Sequence, residues 1–518
     1  MTRTTSLPTR RAALATAAAA AVVASTRAGA QQPPLPAAQA LADGQRFDAG
    51  NVAALARALA RRPYQAAPTD MPDGLRDLTY EQYVSIRPAP SALVWGGEGR
   101  GFVVEPLHRG FVFTAPVALN LVEDGVVRRV AYDAGRFDFG KLRVPDAGRD
   151  LGFSGFRVYA AQGGGPPVDF ALYQGATFFS ALAAGQSFGL QARGLSLRTA
   201  EARGEEFPFF RAFWIERPSV GQGNLVVHAL IDSESTTAAL RMTLRPGETG
   251  HVDVEGTLFP RAALDHVGLA GMAASYLFGP NDRRNTDDAR PGVYEASGLL
   301  VANGGAETLW RPVQNPETLQ VSAFLDRDPK GFGLVQRARD YASFQDDDQH
   351  WERRPSLWVE PLGEWGEGAV QLVEIPSDSE VNKNVIAYWR PKAPIPANGE
   401  FAFGYRQSWC WQPPHRPAVA AVSGTRVGGI PGSRKRRFLV DFTGEALAAG
   451  VVPPDLKASV SAAPGKVERL RTFAYPERRT LRVSFDLDPG GDTHSELRLL
   501  LEGGGRAISE TWLYRWTP

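Results

Sequence analysis

Cysteine is all but missing from this chain of 518 residues, where Cys410 stands alone. A single thiol cannot close an internal disulfide, and it excludes the paired-cysteine sites that hold zinc or iron–sulfur clusters. Histidine is nearly as scarce: seven residues are scattered along the chain, with no His-x-x-x-His spacing of the kind that binds zinc on one helix face. No metal and no cofactor is expected. An excess of either charge is lacking too. The 57 basic and 56 acidic residues leave a formal net charge of +1, so no overall field draws the protein to nucleic acid or to an anionic membrane, and a neutral partner is expected. Past the N-terminus no stretch approaches the ~18 uninterrupted apolar residues of a membrane span.

What is present begins with an address. Arg10-Arg11 precede Ala12-Ala13-Leu14 and an alanine-rich apolar run to Ala24, and Ala28-Gly29-Ala30 supplies small residues for cleavage. Residues 1–30 therefore read as a secretory signal of the twin-arginine kind, which places the mature protein in the periplasm. Residues 31–46, rich in Gln, Pro and Ala, read as a disordered linker. Asp48 is placed to cap a helix running through Asn51 to Ala60 until Pro63 stops it, and a second short helix is expected from Leu78 to Val84. From Phe102 onward the pattern turns to short apolar runs bounded by Gly, Pro or Asp, such as Phe111 to Phe113, Val126 to Tyr132 and Leu225 to Ile231. With 54 Gly and 39 Pro in the chain, this is the pattern of an all-β sandwich or barrel. A shift to Pro, Ala and aromatic residues between Pro391 and Pro417 suggests a boundary. It separates a large domain over 47–410 from a smaller one over 417–518, whose strands at Arg437 to Phe442, Leu481 to Leu487, Leu497 to Leu501 and Ile508 to Trp516 suit an immunoglobulin-like sandwich.

The stretch from Asp287 to Trp389 is the densest in paired carboxylates, arginines and tryptophans. It contains Asp287-Asp288-Ala289-Arg290, Trp310, Arg337, Asp340, Trp351, Arg354, Trp358, Trp365 and Trp389. Indole faces beside carboxylates and guanidinium forks suit a polyhydroxylated ligand, because sugar C–H faces stack on indole while hydroxyls hydrogen-bond to Asp, Glu and Arg. The same tryptophans at strand spacing equally suit the interior of a large β core. Trp310, Arg337, Asp340, Trp351, Arg354, Trp358, Trp365 and Trp389 are accordingly the candidate substrate-binding residues.

Matches scattered over nearly the whole mature length then accumulate: Leu78-Thr79-Tyr80-Glu81-Gln82-Tyr83, Gly152-Phe153-Ser154-Gly155-Phe156-Arg157, Gly204-Glu205-Glu206-Phe207-Pro208-Phe209-Phe210, Phe213-Trp214-Ile215-Glu216, Leu258-Phe259-Pro260-Arg261, Gly331-Phe332-Gly333-Leu334, Arg354-Pro355-Ser356 and Val373-Glu374-Ile375-Pro376. On these the chain resembles the periplasmic glucan biosynthesis family MdoG/OpgG, with its twin-arginine-exported branch OpgD. The resemblance implies a galactose-mutarotase-like β-sandwich carrying a long groove, followed by an immunoglobulin-like domain. It also implies a β-glucan ligand, the β-1,2-linked backbone of osmoregulated periplasmic glucans, and at most a peripheral association with the glucan synthesis machinery of the inner membrane. Some members resemble inverting endo-β-1,2-glucanases.

Two departures bear on chemistry. Where the family reads His-Asp-Ser-Asp-Gly-Leu, this chain has Tyr294-Glu295-Ala296-Ser297-Gly298-Leu299; where it reads Asn-Asp-Asn, this chain has Asn382-Lys383-Asn384. The resemblance makes Glu295 the retained general base and puts Lys383 where the general acid belongs, with Asp378 and Glu380 in the same loop as replacement acids. A lysine, with an ordinary pKa of about 10.4, donates a proton poorly at neutral pH. Two readings follow. One is a glycoside hydrolase or transglycosylase acting on a periplasmic glucan with a non-standard acid. The other is a non-catalytic glucan-binding assembly protein that holds the chain by stacking and hydrogen bonds. Lys383 and Glu295 are expected to face one another or a common sugar subsite across the groove, and would form an ion pair where they meet.

Overall fold

The computed structural model describes residues 41–143, 150–162, 164–283 and 286–518. The expected signal at 1–30 and the linker up to residue 40 lie outside them. The architecture is all-β, as the short apolar runs require. The chain divides into two compact units, one made of residues up to Gly271 together with Tyr388–Cys410, the other of Met272–Ala387 together with Trp411–Pro518. This partition groups residues 417–518 with 272–387, whereas the composition shift suggests that they stand apart.

In the first unit, one run of hydrogen-bonded strands follows the order Phe401–Cys410, Gly250–Pro260, Thr236–Arg245, Leu225–Asp232, Phe209–Glu216, Ala118–Glu123, Val126–Arg129. All neighbours are antiparallel except Phe209–Glu216 with Ala118–Glu123, which run parallel. A second run takes Phe102–His108, Phe153–Ala161, Pro167–Gln174 and Phe178–Ala181 in order. Aromatic residues of the two runs meet face to edge: Phe156 and Tyr173 from the second pack on Phe213 from the first, with ring centroids 4.9 and 5.7 Å away. On the other face of the first run lies the helix Ala49–Ala60, capped by Asp48 through a reciprocal bond with Asn51, as its sequence predicts. Its Val52, Ala56 and Leu59 pack with Val127, Trp214 and Leu230.

Leu41 joins the same cluster. Gly44 N–H donates to the Val127 carbonyl and Val127 N–H to that of Gln45, both at 2.9 Å. Residues 41–46 are thus ordered against Val126–Arg129, and the disordered linker expected to run to residue 46 is corrected over these six. Composition misses this because a backbone annealed to a strand edge needs no apolar pattern of its own. The expected strand at Phe111–Phe113 is a tight turn instead, with Phe111 at φ 53° and reciprocal backbone bonds between Gly110 and Phe113.

The second unit holds a run of strands in the order Lys457–Ala463, Ser495–Gly503, Thr511–Trp516, Thr308–Pro312, Gly298–Ala302, Gly331–Val335, Ser356–Pro361. The parallel pair Thr308–Pro312 with Thr511–Trp516 joins the C-terminal hundred residues to the stretch before them. A four-stranded sheet, ordered Ala421–Gly429, Arg436–Thr443, Thr480–Asp488, Lys466–Tyr475, supplies Phe438 and Phe485 to a core shared with Trp512, Tyr514, Trp310 and Trp358. Gly298 is fixed by this packing, since a Cβ there would stand 2.6 Å from the Trp310 ring. Two residues of the basic run at Arg434–Arg437 are ion-paired: Lys435 with Glu468 and Asp488, and Arg437 with Asp486.

One buried histidine makes the first unit sensitive to acid. His108 is 4% exposed, with Phe137 and Phe139 edge-on to it. Its Nδ1 lies 2.5 Å from the Arg109 carbonyl and its Nε2 2.8 Å from the Tyr132 hydroxyl. A carbonyl only accepts, so the proton sits on Nδ1 and Nε2 accepts from Tyr132. Burial pushes the pKa of this ring down to about 4. A depressed folded-state pKa means the unfolded chain binds the proton more readily. The associated stability is present above pH ~6.5 and is lost as pH falls to ~4, a change of about 3 kcal/mol. Denaturant unfolding across that window should show this loss, and His108→Asn should flatten it; equal slopes in both proteins would refute the assignment.

Candidate functional site

The site is built where two strands and two loops of the second unit converge. Tyr276–Phe278 and Val293–Tyr294 pair antiparallel, with Tyr276 opposite Tyr294. The pairing continues one step into Glu295, whose N–H donates to the Ser275 carbonyl at 2.9 Å. The Ser275 N–H in turn donates to Glu295 Oε2 at 2.9 Å. The carboxylate is therefore held by its own ladder partner, with its side chain 2% exposed.

Lys383 arrives from the other side. Its neighbour Asn384 receives the Tyr276 N–H on Oδ1 at 2.8 Å and donates through Nδ2 to the carbonyls of Tyr276 and Ile375, both at 3.0 Å. That amide stitches the loop after Glu374-Ile375-Pro376 to the strand beside Ser275. Lys383 is thereby aimed at Glu295, and its Nζ lies 2.6 Å from Oε2, with Oε1 also in contact. Burial lowers the pKa of Lys383; the Glu295 charge and hydrogen bond oppose this, and the Arg354 charge adds to it. The two residues expected to face one another do so, as a buried ion pair.

Arg354 is the second cation here. It is buried and donates to Gln349 Oε1 at 2.8 Å, with its guanidinium over the Trp351 ring. Burial lowers its pKa, while the charges of Glu295, Asp346, Glu352 and Glu380 act to raise it. Its Nε and the Ser275 hydroxyl are buried without a hydrogen-bond partner.

The two candidate replacement acids have other neighbours. Glu380 is bound by Arg290, whose Nη2 lies 2.7 Å from Oε2. Asp378 lines a cavity of about 360 Å³ together with Asp282, Asp287, Asp288, Asn315, Ser377 and the apolar Leu277 and Phe278. Neither makes a hydrogen bond or ion pair with Glu295 or Lys383. Arg290 was not among the candidates, although its motif Asp288-Ala289-Arg290 was in view. It binds Asp288, Asp346 and Glu380 at once, each at 2.7 Å. Burial disfavours its charge, and the three carboxylates more than offset that and raise its pKa above the ordinary value.

The tryptophans expected to stack on sugar lie mostly in the interior. Trp310 and Trp358 belong to the core of the second unit, where Trp310 carries the Arg337 guanidinium 3.5 Å above its ring and Trp358 stacks on His415. Trp351 is buried with Nε1 donating to Asp346 at 3.0 Å. Trp389, in the first unit, is fully buried. None of these four rings presents a face to a ligand, so the stacking role is corrected for them; the apolar reward for sealing an indole exceeds what a wet face gains. Trp365 alone of the five is partly exposed. Arg337 is bound to Glu510 at 2.7 and 2.9 Å, and Asp340 is an exposed cap that accepts from the Ser343 N–H. Among the described residues no group of three or more His, Cys, Asp or Glu is arranged to hold a metal ion.

A family described as periplasmic glucan biosynthesis protein, MdoG, matches residues 47–516. The chain belongs to that family. A relative named glucans biosynthesis protein G from Bradyrhizobium diazoefficiens is 44% identical over 475 residues, covering 91% of this chain and 94% of its own. Proteins of the same name from Rhodopseudomonas palustris (strain BisA53) and Vibrio cholerae are 43% and 42% identical, covering 95% and 91% of this chain and 96% and 87% of theirs.

The ion pair makes a stability prediction. Removing one member of a buried pair strands the other, at about 3–5 kcal/mol, whereas replacing both with apolar groups is close to neutral. Lys383→Met should destabilise by that amount, and adding Glu295→Leu should recover most of it in a denaturant double-mutant cycle. A Lys383→Met variant as stable as the parent would show that the pair does not form.

Proposed function

We propose that the protein binds a β-glucan in the periplasm as part of glucan biosynthesis, and that it does so without inverting hydrolysis. One observation carries the second half of this reading: Lys383 Nζ lies 2.6 Å from the Glu295 carboxylate. An inverting glycosidase keeps two carboxyl groups about 6.5–9.5 Å apart, so that the glycosidic oxygen and a water fit between acid and base. A carboxylate in contact with an ammonium leaves no such space and has no acid partner. Asp378 and Glu380 supply none in its place, the first lining the neighbouring cavity and the second held by Arg290.

Membership of the family and the names of the relatives support a glucan as the ligand. The cavity beside Asp378 suits a sugar unit, because the carboxylates of Asp282, Asp287, Asp288 and Asp378 can accept from hydroxyls beside the apolar Leu277 and Phe278. Periplasmic placement rests on the family and on Arg10-Arg11 ahead of the apolar run; no helix of the described residues is long and apolar enough to cross a membrane.

Linear β-1,2-glucan should therefore bind, with heat detectable by titration calorimetry, and no new reducing ends should form. Lys383→Asp shortens the side chain by two bonds, about 2.5 Å, and moves the contact toward the separation an inverting pair needs. That variant should gain hydrolysis. Brisk cleavage by the unaltered protein, or no binding at all, would sink the reading.

Replacing Arg10 and Arg11 with lysine should leave the precursor in the cytoplasm, as read by fractionation. Unimpaired export of that variant would remove the twin-arginine assignment.

A further inference from the structure

We propose that Arg290 is a positioning residue that holds the loop 377–384 so that Lys383 closes on Glu295. This rests on the reading of Glu295 and Lys383 as an ion-paired glucan site, and deepens it by naming what keeps the pair shut. Three contacts from one buried guanidinium support it. Nη2 binds Glu380, three residues before Lys383 in the same loop, at 2.7 Å. Nη1 binds Asp346 at 2.7 Å, and Nε with Nη2 grips Asp288 at 3.0 and 2.7 Å. Three segments of the chain thus meet on one side chain that lies five residues before Glu295.

From Arg290 two routes lead to the pair. The first is direct, through Glu380 into the loop that carries Lys383. The second passes through Asp346, which also accepts from the N–H groups of Asp348 and Gln349 at 3.1 and 3.0 Å and from Trp351 Nε1. Gln349 then receives Arg354, and the Arg354 charge acts on both Lys383 and Glu295. Asn384 anchors the C-terminal end of the same loop to Tyr276. The loop is anchored at its start by the Asn315 amide on the Ser377 backbone and at its end by Asn384 on Tyr276, and Arg290 on Glu380 is the tie between those ends that faces Asp346 and Asp288. An arginine suits this place because its planar fork donates in three directions at once, which an ammonium on a flexible stem does not reproduce.

The test reads Lys383 itself and needs neither glucan nor activity. In the full chain, acetylation of Lys383 by an amine-reactive ester is followed by peptide mass spectrometry across a pH series. Lys435, ion-paired with Glu468 and Asp488 in the four-stranded sheet of the same unit, is the internal control. The parent should protect Lys383. Arg290→Gln and Glu380→Gln should each speed its acetylation by about tenfold through local opening of the loop and leave Lys435 unchanged, while Arg290→Lys should fall between. Lys383 as protected in folded Arg290→Gln as in the parent overturns the proposal, and so does equal acceleration of Lys435, which would make the role general to the fold. Should Arg290→Gln not fold, Glu380→Gln decides alone by the same two criteria. Calorimetry with linear β-1,2-glucan on the parent separately reports whether the ligand assignment fails, so the two failures are distinct.

Discussion

A carboxylate taken out of water must meet compensating charge or hydrogen-bond donors, and in the second unit this constraint organises everything around Glu295. Its side chain is 2% exposed; left alone, such a group would cost several kcal/mol or lose its charge. Two devices answer the requirement. The ladder supplies a backbone N–H from Ser275, and the loop supplies Lys383. Each depends on the other, since the strand pairing that brings Ser275 to Glu295 also presents Tyr276 to Asn384, which delivers Lys383. The unit repeats the solution elsewhere: Glu374 is held by Arg311 and the Gln314 N–H, and Glu510 by Arg337. Pairs of this kind contribute little net stability, because desolvation consumes most of the attraction, whereas removing one partner alone is costly.

The chemistry follows from which partner fills the second place. A second carboxylate would repel the first and stand away from it, leaving a gap for a water and a glycosidic oxygen. An ammonium is attracted and closes the gap. One change of charge sign therefore converts a separated pair into a contact, without altering the strands or the asparagine that position it. On the proposed reading, attraction at the site removes the separation that an inverting pair needs, while the strands and the asparagine that position the pair stay in place.

Much of this was legible in the chain. The helix start at Asp48, the all-β pattern and the strands of the C-terminal hundred residues all carry local signals, namely a capping residue or apolar alternation between turns. The facing of Glu295 and Lys383 was legible only through the matched motifs, since 88 residues separate them. Less was legible where pairing is non-local. The strand Lys466–Tyr475 is nearly all polar or exposed, and it exists because Thr480–Asp488 offers it a ladder. Arg290 escaped notice because its partners Asp346 and Glu380 lie 56 and 90 residues away. The tryptophans misled for a different reason. An indole beside charges in sequence looks the same whether the strand turns it outward or inward, and Trp310 carries Arg337 on its buried face.

That burial changes how a glucan would be held on the proposed reading. With Trp310, Trp351 and Trp358 sealed in the interior, stacking on broad aromatic platforms gives way to hydroxyls donating to aspartates beside a small apolar surface. The two modes select differently. Stacking tolerates any ring with an apolar face, whereas a polar site discriminates strongly against a ligand lacking one hydroxyl, because the protein group left behind is desolvated and unpaired. A site of this composition distinguishes linkages through which hydroxyls remain free on each sugar unit. Specificity would then arise from the positions of Asp282, Asp288 and Asp378, the first fixed by the Asn315 N–H and the second by Arg290. The guanidinium that holds the loop behind Lys383 also sets one wall of the cavity, so recognition and closure share a single charged anchor.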